Sequence, residues 1–212
     1  GLSLIREAVD AGDTNAASIL GDLYASGRGV PLDAQKALEY YEMGMISGST
    51  SATVSVGDML RTGGRDLKAQ PEKALALYAE AQLRGNGGAA RRIADMHLRG
   101  EGVPASLETA ERMLTQQASL GEMQAYLDLS DIYLRGEFVP VNIQTAIGHL
   151  QRAIDGGNTA AMVRLGDLYL TGGPGLDADI GRAIGLYETA METGNTSAMR
   201  ALADVYLNLS LP

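Results

Sequence analysis

An all-α solenoid of antiparallel helix pairs is the fold this sequence predicts, on three observations. A phrase built around one aspartate returns every 36 or 37 residues, each copy carries two stretches of helical periodicity ended by glycine, and the apolar content is aliphatic rather than aromatic. Self-similarity at such a period marks a repeat architecture, in which no unit buries its apolar face alone.

The period is read off Asp22, Asp58, Asp95, Asp131, Asp167 and Asp204, which stand 36, 37, 36, 36 and 37 residues apart. They lie in the phrases ILGDLY, SVGDML, RIADMH, DLSDIY, RLGDLY and ALADVY. Six residues before each comes Ala16, Ala52, Ala89, Ala125, Ala161 or Ala198, and two before it Leu20, Val56, Ile93, Leu129, Leu165 or Leu202. Two residues after it stands Tyr24, Leu60, His97, Tyr133, Tyr169 or Tyr206. These offsets trace one stripe of a 3.6-residue helix, helix A of each unit. The small residues Gly21, Gly57, Ala94, Ser130, Gly166 and Ala203, beside that stripe, let a neighbouring helix approach.

Helix A stops at Gly27, Gly63, Gly100, Gly136 or Gly172, and Val-Pro often follows, as at Pro31, Pro104 and Pro140. Gly followed by Pro is a stop signal. Helix B carries Ala37, Ala74, Ala110, Ala146 and Ala183, with Tyr41, Tyr78, Leu114, Leu150 and Tyr187 one turn later. It closes at Gly48, Gly85, Gly121, Gly157 or Gly194, three of them followed by Asn. That pattern suits a left-handed cap and a tight antiparallel turn. The predicted organisation is a single array: residues 1–12 end a preceding unit, 16–51, 52–88, 89–124, 125–160 and 161–197 are five units, and 198–212 is a half unit. Neither end looks like a polar capping repeat, so a larger parent or a further capping element is expected, and the open ends offer surfaces for self-association.

Composition narrows the function classes. Apolar residues make up 45% and aromatics 5%, with nine Tyr, one Phe and no Trp. The net charge is −9, and the 17 basic residues are scattered, leaving no footprint for a phosphate backbone, so nucleic acid is not an expected partner. With no cysteine, disulfides, thiolate catalysis and cysteine-based zinc sites are excluded. No apolar run approaches the roughly 18 to 20 residues of a membrane helix.

The phrase from Ala16 to Ser49, A-x-x-x-LGDLYxxGxGV-x-x-D-x-x-KALxYYExG-x-x-x-G-S, closely resembles the Sel-one-like repeat, a relative of the tetratricopeptide repeat. The resemblance runs through essentially all 212 residues. It implies a right-handed superhelix with helix A lining the concave face, and an adaptor that assembles protein complexes. Many bacterial members act in the cell envelope, including exopolysaccharide export or its regulation, so a periplasmic or outer-membrane-associated location is expected, with the cytoplasm left open. One secreted subgroup carries a cysteine pair in every repeat and is associated with β-lactam binding or hydrolysis; a chain without cysteine is a poor match to it. Departures from the pattern are Leu114 and Leu150 in the tyrosine slot and the loops TGGRDLKAQP and TGGPGLDADI.

No catalytic residue, cofactor or metal is assigned from the sequence. His97 and His149 sit in packing slots of different units. The runs Ser26-Gly27-Arg28-Gly29 and Thr171-Gly172-Gly173-Pro174-Gly175 lack the Gly-Lys-Ser/Thr of a phosphate loop and follow no strand. Asp177 and Asp179 lack the twelve-residue calcium pattern, and a helix N-cap with a first-turn acid explains them better.

What remains is the aspartate ladder. On a helical wheel with Asp at 0°, the core alanine lies near 120°, the aliphatic near 160° and the tyrosine near 200°, so the ladder faces away from the core. Beside it stand Ala25, Arg61, Leu98, Leu134, Leu170 and Leu207 on one side and Ser18, Val54, Arg91, Leu127, Val163 and Arg200 on the other. Apolar anchors beside acids suit a peptide bearing Lys or Arg. The predicted partner-binding groove comprises Asp58, Asp95, Asp131, Asp167 and Asp204 with Leu98, Leu134, Leu170 and Tyr126, its partner a protein with a basic segment. Consensus aspartates hydrogen-bonded to a neighbouring unit, with leucines packing between repeats, are the plainer alternative. A carbohydrate-binding or enzymatic envelope protein is the rival from another class, and Tyr126, outside the core slots, is its candidate sugar platform.

Overall fold

Each repeat phrase becomes a helix because its apolar and small residues recur at helical spacing, and in all but the Asp131 phrase a side-chain oxygen takes one of the first free N–H groups. Asn86 and Asn158 accept from Ala89 and Ala161 N–H, both at 3.2 Å, and Asp33 accepts from Lys36 N–H at 3.0 Å. The preceding turn is set by a glycine in the left-handed region, Gly85 at φ 87° and Gly157 at φ 84°.

A computed structural model describes residues 1–64 and 67–210. The chain divides into two compact units, 1–110 and 111–212. The first holds α1 (Leu2–Asp10), α2 (Thr14–Ser26), α3 (Ala34–Ile46), α4 (Thr50–Thr62), α5 (Pro71–Leu83), α6 (Gly87–Arg99) and the first turn of α7 (Leu107–Ser119). The second holds the rest of α7, then α8 (Gln124–Arg135), α9 (Ile143–Asp155), α10 (Thr159–Thr171), α11 (Ile180–Glu192) and α12 (Thr196–Ser210). Among the described residues all regular structure is helical, apart from two isolated bridges. The all-α repeat architecture is therefore the observed one.

Within each unit neighbouring helices pack in pairs, α2 on α3 and α4 on α5 in the first, α8 on α9 and α10 on α11 in the second. The alanine slots lie at the contacts: Ala52, Ala89, Ala37 and Ala74 are buried in the first unit, and Ala125, Ala161, Ala146 and Ala183 in the second. Small residues bring helix axes together, and Leu20, Leu129 and Leu150 fill the space between, each worth about 1.5–3 kcal/mol on burial. Asn86 Nδ2 donates to Thr50 Oγ1 at 3.4 Å and Asn195 Nδ2 to Thr159 Oγ1 at 3.0 Å, tying successive turns one repeat apart.

Several expectations need correction. Val54 and Leu127, placed beside the ladder on the wheel, are buried: Leu127 packs against Leu150, Ala153, Ala161 and Leu165, because a helix A inside the array is covered by the next repeat as well as by its own helix B. The two Gly-Gly loops, which departed from the pattern, share one closure, a short bridge from Gly64 to Leu67 and from Gly173 to Leu176. Arg65 and Asp66 of the first loop lie outside the described residues. Asp179 caps α11 by accepting from Arg182 N–H at 2.9 Å, but Asp177 precedes the helix and is not a first-turn acid. The last helix, in the half unit, continues to Ser210, while Leu211 and Pro212 lie outside the described residues.

Candidate functional site

Each ladder aspartate sits on the exposed or half-exposed side of its helix A, and the carboxylates of Asp22, Asp58, Asp95, Asp131 and Asp167 are met by specific donors. In the first unit Tyr41 Oη, from α3, donates to Asp22 Oδ1 at 2.6 Å, and Tyr78 Oη, from α5, donates to Asp58 Oδ1 at 2.7 Å. In the second, Tyr187 Oη, from α11, donates to Asp167 Oδ1 at 2.7 Å. The three phenols stay protonated well beyond their ordinary range, held there by burial first and by the bond to the carboxylate second.

The glycine before these aspartates is part of the same device. A methyl group on Gly21 would stand 2.6 Å from Tyr41 Cε1, and one on Gly57 or Gly166 would stand 2.5 Å from the same atom of Tyr78 or Tyr187. Glycine leaves the space through which the ring reaches the carboxylate. Where helix B carries Leu114 or Leu150 instead, the preceding residue is Ala94 or Ser130.

Asp95 and Asp131, whose repeats carry leucine in the helix B tyrosine slot, are held by arginine. Asp95 receives Arg61 Nη2, and Arg99 Nε at 3.1 Å. Arg61, its side chain only 14% exposed, also donates to Glu101 Oε2 at 2.5 Å; burial works against its charge, but the two carboxylates outweigh it and raise its pKa. Asp131 receives Arg164 Nη1, and Arg135 Nη2 at 3.3 Å. Asp58 has both kinds of partner, because Arg92 grips it with a two-pronged fork, Nε to Oδ1 at 2.5 Å and Nη2 to Oδ2 at 2.7 Å.

In the first unit Asp22 and Asp58 line an open groove of about 980 Å³, with Tyr41, Ser55, Leu32, Met59 and Asp33 among its walls; Asp95 and Leu98 are not in this lining. Leu98 is half-buried in α6. In the second unit Asp131 is largely covered, at 18% side-chain exposure, whereas Asp167 and Asp204 are exposed. Leu134 is half-buried, and Leu170 packs against the cluster of Ala183, Tyr187, Leu202 and Val205, so it takes part in inter-repeat packing.

Tyr126 is not an exposed platform. It is half-buried, with its ring 6.2 Å from that of His149, and His149 also stacks on Tyr133 at 5.9 Å. Burial lowers the pKa of His149, with Arg152 adding to the effect. Tyr133 Oη donates to Glu111, and that bond, with burial second, pushes its pKa up to about 12. Among the described residues no group of His, Cys, Asp and Glu has the geometry to hold a metal ion. No helix among them is long and apolar enough to cross a membrane.

The residues missed from the sequence are Asp22, the phenols of Tyr41, Tyr78 and Tyr187, and the column three before each ladder aspartate, Ile19, Ser55, Arg92, Asp128, Arg164 and Ala201. The signal was present in two correlated columns, Gly before Asp accompanying Tyr on helix B, and in arginine recurring at the minus-three slot.

The Sel1 repeat pattern matches five stretches of the chain, 14–44, 50–86, 88–122, 124–158 and 159–195. Among solved structures, a Sel1 repeat protein from Oxalobacter formigenes is 21% identical with a TM-score of 0.62, the match covering 97% of this chain and 90% of that one. The protective antigen c5321 of uropathogenic Escherichia coli is 24% identical with a TM-score of 0.55, covering 99% of this chain but 45% of that protein, so this chain spans less than half its length. Immunity protein Pa5087 from Pseudomonas aeruginosa is 20% identical with a TM-score of 0.58, covering 90% and 72%. No curated protein matches the sequence at a significant level.

Proposed function

Since the chain belongs to the Sel1 repeat family, whose stacked helix pairs present long binding surfaces, we propose that it is a non-catalytic scaffold that recruits a protein partner along the ladder faces of its A helices. In the first unit the docking residues are Asp22, Asp58, Asp95 and Leu98. In the second they are Asp131, Leu134, Asp167, Leu170 and Asp204, with Tyr126 supporting the packing beneath.

The observation that carries this reading is the way the carboxylates are held. Tyrosine or arginine fixes most of them from within, so their orientation is set before any partner arrives, and preorganised acceptors lose little freedom on binding. Oxygens of Asp22 and Asp167 still face solvent and suit donors on a basic segment. A seat in a bacterial envelope complex, including one for exopolysaccharide secretion, belongs to the same proposal and rests on the family resemblance.

The test is capture from separate envelope and cytosol extracts, with wild type beside an Asp167→Arg, Asp204→Arg variant whose helicity is checked by circular dichroism. A partner held by wild type and lost from the folded variant supports the reading, and the fraction that yields it assigns the compartment. Equal retention by both proteins would remove the second unit's ladder as the docking face.

A further inference from the structure

The repeats contain their own example of what the aspartate–tyrosine pair binds. At Asp58 the carboxylate takes Tyr78 Oη on Oδ1 and, from the next repeat, the guanidinium of Arg92 on both oxygens. At Asp131 an arginine in the same minus-three slot, Arg164, reaches the carboxylate from the next repeat. A guanidinium fork matches a carboxylate edge in plane and spacing, which a lysine ammonium does not.

Asp22 has the first half of this arrangement and not the second. Tyr41 donates to Oδ1 at 2.6 Å, as Tyr78 does to Asp58, but the minus-three slot of the next repeat holds Ser55. Arginine is there replaced by a side chain too short to reach across, and the space it leaves opens into the groove of about 980 Å³ that Asp22, Tyr41 and Ser55 line together. Among the described residues the lining includes no Lys or Arg, and it includes the apolar residues Ala25, Leu32, Ala34 and Met59, against which the methylene stem of an incoming arginine can lie.

We propose that Asp22, Tyr41 and Ser55 form a guanidinium receptor, and that its occupant is an arginine side chain presented by the protein partner. The inference rests on the scaffold reading above and gives it a defined point of attachment. Ser55 is the determinant of vacancy: arginine in that slot fills the site from within, as Arg92 does one repeat on, and serine leaves it to a partner in trans.

The direct test is an NMR titration of the ¹⁵N-labelled full chain with N-acetyl-arginine amide, beside N-acetyl-lysine amide. Saturable shifts centred on the amides of Asp22, Tyr41 and Ser55 are expected with the arginine derivative and much weaker ones with lysine. Ser55→Arg, which supplies an internal guanidinium, and Asp22→Asn, whose amide oxygen still accepts from Tyr41, should each weaken binding about tenfold or more, the scale of one lost charge-assisted contact. The asparagine variant keeps the test intact if the arginine variant does not fold. Absence of localised shifts, equal response to lysine, or unchanged affinity in a folded variant would overturn the receptor. Because the probe is the side chain itself, such failure is separate from that of the scaffold reading, which falls only if capture is insensitive to the ladder.

Discussion

A methyl group added at Gly166 is the sharpest test of how the ladder is built. Glycine inside a helix ordinarily costs about 1 kcal/mol relative to alanine, so Gly166→Ala would stabilise α10 if only the backbone mattered. The new methyl would instead stand 2.5 Å from Cε1, 2.9 Å from Cζ and 3.0 Å from Cδ1 of Tyr187, whose ring is fully buried and cannot swing away. Overpacking of that kind costs about 1–3 kcal/mol, and losing the phenol's bond to the Asp167 carboxylate about 1.5–3 more, so after the gain in helix propensity the net loss is about 1.5–5 kcal/mol. Urea unfolding followed by circular dichroism measures it. Gly185→Ala on α11, where an added Cβ meets nothing within 4 Å, is the control and should stabilise by up to about 1 kcal/mol. The double variant Gly166→Ala, Tyr187→Leu, which approximates the natural Ser130 and Leu150 slots, should recover part of the loss. A neutral or stabilising Gly166→Ala would refute the claim that this glycine exists to admit the tyrosine.

Alkaline pH gives a second prediction. The phenols of Tyr41, Tyr78 and Tyr187 titrate higher in the fold than the ordinary value near 10, so their contribution is complete below about pH 10 and is lost as pH rises toward their folded values. Urea midpoints should therefore fall more steeply above pH 10 in wild type than in Tyr78→Phe or Tyr187→Phe, and parallel slopes would contradict this. The two kinds of arginine should also differ: Arg92→Ala, at a pair exposed by 34% and 43%, should cost no more than about 1 kcal/mol, whereas Arg61→Ala, at 14% exposure and serving two carboxylates, should cost about 1–3 kcal/mol by the same midpoints. Equal costs would mean that burial does not set the strength of these clamps.

The fold was legible because its signal is repetitive. Ala52, Ala89 and Ala161 recur in register, and a buried alanine at a fixed offset has few explanations other than close helix packing. The site was legible in part. The wheel placed the aspartates on the outer side, but it treated helix A as an isolated cylinder, so Val54 and Leu127 appeared beside the ladder when both are buried, Leu127 in part by Ala161 and Leu165 of the next repeat. Nor does a wheel record what crosses between helices. The bond from Tyr187 to Asp167 spans 20 positions and that from Arg92 to Asp58 spans 34, distances at which only the repeat register brings two columns together. Gly57 with Tyr78 against Ser130 with Leu150 was nonetheless readable in advance as a pair of correlated slots, one open to a ring and one closed to it.

The central claim is that a protein partner docks on the A-helix faces, and site-specific photo-cross-linking in source cells tests it most directly. A photoreactive residue replacing Ala25, exposed on α2 and lining the groove beside Asp22, is compared with one replacing Glu39, exposed on α3. The account predicts a discrete protein adduct from position 25 that disappears when Asp22→Asn is added, and none from position 39. An adduct from position 39 with none from position 25 would contradict it and assign recruitment to the B helices.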